Sequence, residues 1–273
     1  MKFICPVCGG RLSFVGGSAL CEARHSFDRA KEGYFNFLLS SSSKNHGDNA
    51  EMVLARRAFL NTGAYYPLAE AVLSEIVRFM PKRKSGVSLL DIGCGEGYYT
   101  DEFERGLPEG SSVYAFDISR DAVKRAAKRN KNLRLAVASA YKMPFTDGAF
   151  DIAVNMFSPL APSEILRTLS DGGIFVMAIP GENHLYSLKA ATYEKPYKNE
   201  VMDSHIDGFN LLSERKLSYK ITLSSTEEIK NLFMMTPYAY KTSKSDTERL
   251  LSNNSLTVEA EFIIFVYQKA DLS

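Results

Sequence analysis

Leu89-Leu90-Asp91-Ile92-Gly93-Cys94-Gly95-Glu96-Gly97 is the stretch on which the reading of this chain turns. The apolar run that starts at Val87 and ends at Asp91 has the length and character of a buried strand, and helical periodicity resumes over Tyr98 to Arg105. A glycine-rich turn between a strand and a helix lies where open parallel sheets bind ligands. The spacing of the glycines separates two kinds of ligand. A dinucleotide fingerprint, G-x-G-x-x-G, would put its third glycine at position 98, which is Tyr98. The chain instead has G-x-G-x-G preceded by Asp91, and this argues against a nicotinamide enzyme.

Strand patterns recur outward from this loop at 113–117, 133–138, 150–155 and 173–179, with helices at 120–129 and 163–168. Alternating strands and helices with short turns predict an α/β fold with a doubly wound parallel sheet. Upstream, one helix begins near Ala50 after Asp48 or Asn49, and a second spans about Pro67 to Met80. Downstream, strands are expected at 216–223 and 257–267. The helix between them opens on the capping-box pattern Ser225-Thr226-Glu227-Glu228. The polar, poorly periodic stretch 180–213 reads as an insertion over the mouth of the sheet, and Ser40 to Asp48 as a linker or mobile loop.

Three of the four cysteines fall in the first 21 residues. Cys5, Cys8, Cys21 and His25 make the pattern C-x2-C-x12-C-x3-H, a spacing that suits one tetrahedral zinc. All four positions are filled by protein, so the metal is structural. A zinc deaminase is disfavoured, because His25 is followed by Ser26-Phe27 and not by the x-Glu of that chemistry. A segment of about forty residues buries too little surface to fold unaided, and zinc supplies the missing stability. The isolated Cys94 reads as a small residue in a tight loop.

Composition excludes other classes. With 273 residues, 45% apolar and 24% charged, the chain is neither disordered nor a coiled coil nor a disulfide scaffold. It has no apolar run of about 18 residues, so no membrane partner is expected, and its N-terminus lacks a long signal-type apolar region. The cytoplasm is the expected compartment. Net charge is only +1, but residues 1–84 carry 12 Lys/Arg against 7 Asp/Glu, while the remainder carries 21 against 25. A basic N-terminal third could face an anionic polymer.

The loop after Asp91 resembles motif I of the class I S-adenosylmethionine-dependent methyltransferases. The resemblance narrows when three further segments are added: Phe27-Asp28-Arg29-Ala30-Lys31-Glu32-Gly33-Tyr34-Phe35-Asn36, Ala55-Arg56-Arg57-Ala58-Phe59-Leu60 and the late Met235-Thr236-Pro237. Together with the cysteine knuckle they resemble the RlmA (RrmA) family of 23S ribosomal RNA guanine-N1 methyltransferases over nearly the whole chain. The resemblance implies a Rossmann-like sheet with a late antiparallel strand at 257–267, built on residues 85–273, with a zinc module at 1–38 and a linker with helices at 39–84. It implies zinc on Cys5, Cys8, Cys21 and His25. It implies S-adenosylmethionine contacts from Tyr66, Asp91, Gly93, Gly95, Glu96, Gly97, Tyr98, Asp117 and His184. In that set Asp91 holds the methionine end and Asp117 the ribose hydroxyls, and Ser139, Ala140 and Met143 lie by the adenine. The implied partners are a 23S rRNA hairpin loop and a second copy of the chain, with the zinc modules lining an RNA cleft.

The target guanine stays open, because Phe157-Ser158-Pro159 and Glu182-Asn183-His184-Leu185 look like one branch of the family and Gly47 to Met52 like the other. Guanine N1 carries a proton that must leave, so an acceptor or an O6-stabilising group is needed. Asn155, at the end of the fourth strand, is the tentative orienting residue, with Glu182 and His184 as alternatives. Tyr65, Phe157 and Tyr186 are candidates to stack the base. Arg56, Arg57, Lys82, Arg83 and Lys84 are candidates to hold phosphates. Chelation is expected to unfold residues 1–38 and leave the sheet domain standing. The rival readings are a small-molecule methyltransferase with a structural zinc module, which deletion of residues 1–38 would expose, and a non-catalytic RNA-binding protein.

Overall fold

The computed structural model describes residues 1–39, 49–82 and 85–270. The expected linker at 40–48 and the candidate phosphate ligands Arg83 and Lys84 lie outside the described residues. The chain opens with a small ribbon, β1 (Leu12–Val15), β2 (Ser18–Cys21) and β3 (Ser26–Asp28), followed by the short β4 (Phe35–Asn36). Two helices follow, α1 (Ala50–Leu60) and α2 (Tyr66–Phe79). Asn49 caps α1 by accepting from the Met52 N–H at 2.9 Å, and Pro67 sits in the first turn of α2, as the sequence predicts.

The sheet is built from β5 (Ser88–Ile92), β6 (Ser112–Asp117), β7 (Arg134–Val137), β8 (Phe150–Met156), β9 (Leu169–Pro180), β10 (Phe209–Leu223) and β11 (Leu256–Lys269). Between them run α3 (Tyr98–Gly106), α4 (Arg120–Arg129), α5 (Pro162–Thr168), α6 (Tyr186–Thr192), α7 (Thr226–Met234) and α8 (Lys244–Leu251). Strand order is β10-β11-β9-β8-β5-β6-β7-β4, and only β11 runs against its neighbours. The late strand is therefore antiparallel, as expected. β5 and β8 are buried along their whole length, which is why they read as near-continuous apolar runs. β10 is an edge strand, and its polar first half hides it from a pattern search. The stretch 180–213 is correspondingly more ordered than its sequence suggests, containing α6 and the start of β10.

The two faces of the sheet are covered differently. One face, with Leu89, Val113, Leu135, Val154 and Val176, packs against α1, α2, α3, α4, α6 and α7. The other face, with Leu90, Phe116, Ala136, Ala153 and Phe175, has only α5 among the described helices. The connection from β7 to β8 carries no helix, and Met143 and Phe145 close it over the sheet. The rest of the cover is the zinc ribbon. Phe3, Leu12, Ala19, Phe35 and Phe37 enter this second core, and so do the ligands Cys5 and Cys21. The Phe3 ring packs on Phe145 at 5.1 Å and Tyr114 at 5.5 Å. Backbone bonds join the two parts as well: Ile4 N–H donates to Pro144 O at 2.9 Å, Thr146 N–H to Lys2 O at 3.1 Å, and β4 pairs in parallel with β7.

This shared packing argues against the expectation that chelation leaves the sheet domain intact. A ribbon that puts Phe3, Phe35 and Phe37 into one core cannot unfold without uncovering that core. Calorimetry should show one unfolding transition that a chelator shifts down as a whole; two separate transitions, only one of them chelator-sensitive, would show independence. Phe3→Ala should destabilise the protein by about 3–5 kcal/mol in denaturant titrations, the usual cost of emptying a buried phenylalanine site.

Candidate functional site

The metal centre follows from two tight turns. Gly9 N–H closes on Cys5 O at 2.8 Å and Arg24 N–H on Cys21 O at 2.9 Å, so each turn aims its ligands inward. The ligand atoms of Cys5, Cys8, Cys21 and His25 all lie within 4.8 Å of one another. Cys8 Sγ is 3.7 Å from Cys21 Sγ, and His25 Nδ1 is 3.5 Å from Cys5 Sγ and 3.3 Å from Cys21 Sγ. Zinc bonds of about 2.0–2.3 Å at tetrahedral angles give edges of about 3.5–3.8 Å. The four donors fit such an ion, with His25 ligating through Nδ1.

The glycine loop is held from three sides. Gly93 and Gly97 answer to the protein's own packing: a Cβ on Gly93 would come within 2.3 Å of Ser158 Cβ, and one on Gly97 within 2.9 Å of Ala126 Cβ. Gly95, in the left-handed region at φ 55°, has open space beside it, and its N–H donates to Asp117 Oδ2 at 2.9 Å. The other Asp117 oxygen accepts from Ser119 N–H at 2.8 Å. The carboxylate at the end of β6 therefore ties the loop to the start of α4 while remaining half-buried at the surface.

Asp91 is 1% exposed. Its Oδ2 accepts from the Thr100 hydroxyl at 2.6 Å, while Oδ1 is buried with no partner. An orphaned carboxylate oxygen is costly, and it fits a ligand carrying a cationic or N–H donor group, such as the amino-acid end of S-adenosylmethionine. Burial pushes the Asp91 carboxyl up to about 7, against the Thr100 bond that lowers it. Tyr99, next to Thr100 on α3, also has its hydroxyl buried without a partner among the described residues.

The Glu96 carboxylate takes Arg129 Nη2 at 2.8 Å and lies 3.7 Å from Arg57 Nη1, and Arg129 also donates to Asn61 Oδ1 at 2.9 Å. Glu96 thereby forms a clamp fastening α1 and α4 onto the loop. Burial pushes this carboxyl up against the pull of both guanidiniums. The same clamp engages Arg57, and Arg56 donates to Met235 O at 3.4 Å, so neither stands as a free phosphate ligand; Lys82 is exposed. Tyr98 is buried under the Arg129 guanidinium, and Tyr66, 46% exposed, lies near enough to act on its hydroxyl.

Three further candidates are placed as follows. Asn155 is buried and its amide is engaged at both ends, accepting from Ser158 N–H at 3.0 Å and donating to Pro159 O at 3.3 Å. It holds its own turn. His184 is buried; its Nδ1 accepts from Glu261 N–H at 3.3 Å, which leaves the ring proton on Nε2, 3.3 Å from the Tyr65 hydroxyl. Desolvation, helped by Lys189, brings its pKa down to about 3, so the ring is a neutral donor and not a proton acceptor. Met143 is buried in the second core, with Ala140 packed against it. Of the candidate stacking rings, Tyr65 is fully buried, Tyr186 is half-buried and Phe157 is exposed. Local pattern carries no signal for the roles of Thr100, Ser158 and Arg129, which appear only when the chain is folded.

The methyltransferase domain family model matches residues 83–235, and the family model described as RlmA, N-terminal, matches residues 3–45. The Bacillus subtilis protein YxjB, named for 23S rRNA (guanine-N1)-methyltransferase activity, is 28% identical over 96% of each chain. A 23S rRNA (guanine(748)-N1)-methyltransferase of Streptomyces fradiae is 36% identical over 67% of this chain and 65% of its own. A Micromonospora griseorubida protein named for the same guanine-N1 activity is 33% identical over 67% of each.

The raised Asp91 gives a pH signature. A carboxyl that titrates higher when folded than when unfolded favours the fold at low pH, and that contribution is lost as pH rises from about 4 to about 7. The ligand-free protein should lose up to about 4 kcal/mol over that range from this group. Asp91→Asn, which can still accept from Thr100, should flatten the slope in urea titrations. An unchanged slope would assign the titration elsewhere.

Proposed function

The chain belongs to the RlmA family of S-adenosylmethionine-dependent methyltransferases, and from that premise we propose that it methylates N1 of a guanine in a hairpin loop of 23S ribosomal RNA. The observation that carries this reading is the joining of two parts: a zinc ribbon of the RlmA type forms one core with the sheet that carries the cofactor loop. A ribbon built into the sheet's own core stands in a fixed relation to the loop, as a substrate-presenting element should. A small-molecule enzyme has no use for it.

S-adenosylmethionine supplies a methyl group already activated on sulfur. The chain's part is to bind, orient and exclude water. Asp91 Oδ1 would hold the amino-acid end, Gly95 would allow close approach, Asp117 would hold the ribose hydroxyls, and Tyr66 and Tyr98 would flank the cofactor. Neutral His184 stiffens the wall through Tyr65 and the backbone of β11. Glu182 is exposed, paired with Lys198 at 3.3 Å, and is the carboxylate beside His184 free to move toward an N1 proton. N1 lies on the Watson–Crick edge, so the base must be unpaired or flipped out. The protein acts in the cytoplasm, as a homodimer whose zinc ribbons line the RNA cleft.

Labelled S-adenosylmethionine and 23S rRNA from cells lacking the protein test this directly. The label should appear on N1 of one loop guanine, mapped by a reverse-transcription stop. Transfer to a small molecule and to no RNA would overturn the reading. Binding of the RNA should weaken steeply with salt as counterions are released; a flat response would remove the basic N-terminal face from the account.

A further inference from the structure

Phe157 is a phenylalanine in the left-handed region, at φ 62°, with 42% of its surface exposed. Bulky L-residues avoid that conformation, and glycine or asparagine would adopt it with less strain. The surroundings enforce it. Asn155 fixes the turn through Ser158 and Pro159, the Ser158 hydroxyl donates to Ile92 O at 2.7 Å, and Ser158 Cβ fills the space that Gly93 leaves open. The turn after β8 is thereby fastened to the cofactor loop itself.

The ring does not stand alone. Its centroid is 6.3 Å from Tyr99 and 5.7 Å from Phe262, and Phe262 in turn packs on His184 at 4.7 Å and Tyr65 at 5.1 Å. These five rings form a wall running from α3 to β11. Four of them are buried, and Phe157 is the member that faces solvent. The strained ring is backed on its inner side by Tyr99 and Phe262, and its outer side is open to solvent beside the loop. Such a face suits a flat π-system brought in from outside.

We propose that Phe157 is the platform on which the target guanine stacks, and that Asn155 is a positioning residue that holds the ring there. The inference rests on the RNA reading above and names the residue that receives the base. Tyr65 and Tyr186 are set aside by the same geometry, one wholly inside the wall and the other half-buried on α6.

The chain contains no tryptophan, so Phe157→Trp places a single indole at the platform. The probe is a 23S rRNA hairpin that the wild-type protein methylates, together with the same hairpin made abasic at the methylated position. The intact hairpin should quench the indole emission and the abasic one should leave it unchanged. In steady-state assays Phe157→Gly, which suits the backbone conformation, should keep cofactor Kd within about twofold. It should raise KM for the hairpin about ten- to hundredfold, the usual range for losing one base–aromatic stack. Phe157→Tyr should restore KM, and Asn155→Ala, which loosens the turn that holds the ring, should raise it as Phe157→Gly does. Equal quenching by both hairpins, or an unchanged KM in Phe157→Gly, overturns the proposal while the methyltransferase reading stands. If the wild-type protein methylates no hairpin, the reading falls and the platform with it.

Discussion

One face of the sheet has almost no helices to cover it, and that deficit organises the molecule. In a doubly wound fold each face normally receives crossover helices. Here the segment from β7 to β8 is a loop, and β5, β6 and β7 would present Leu90, Tyr114, Phe116 and Ala136 to water. The ribbon fills that place with phenylalanines, yet four short strands of two to four residues cannot hold their shape unaided. The zinc ligands supply what the ribbon lacks. Because Cys5 and Cys21 are both ligands and core residues, the metal fixes the ribbon and the packing of the sheet together.

The opposite end of the sheet shows the same economy at the cofactor loop. Asp91, Glu96 and Asp117 are three carboxylates within one loop and its neighbours, and each is handled differently. Glu96 is neutralised by two arginines and becomes a clamp. Asp117 is solvated and bound to backbone N–H groups. Asp91 is left half-satisfied in a buried site. Only the last carries an unmet demand for a hydrogen-bond donor, and it lies where the first strand delivers its side chain into the turn.

Much of this was legible in the sequence. The order of strands and helices, the Asn49 cap, the late antiparallel strand and the four zinc ligands follow from local pattern and spacing. What was not legible depends on contacts distant in the chain. Nothing in Glu96 announces Arg129, thirty-three residues on. Nothing in Asn155 tells a base-orienting amide from one that bonds to its own turn. Nothing in the loop's spacing announces that Gly93 leaves room for Ser158 and Gly97 for Ala126. The helix α8 has one buried side chain, Leu250, and so leaves almost no apolar stripe to read.

The division of labour also explains why His184 cannot be the base its position invites. A histidine serves as proton acceptor only if one ring nitrogen keeps a free lone pair and the charged ring can be stabilised. Here Glu261 N–H occupies the lone pair of Nδ1, the Nε2 proton faces a hydroxyl, and the aromatic rings of Tyr65 and Phe262 surround it without a carboxylate in contact. Charging it would break the Glu261 bond and bury a cation beside Lys189. What the residue gains from this setting is rigidity: a fixed tautomer and a fixed plane, joining β11 to α2. A methyl donor that arrives activated needs walls that do not move more than it needs a strong base, and the buried rings behind Phe157 are such walls.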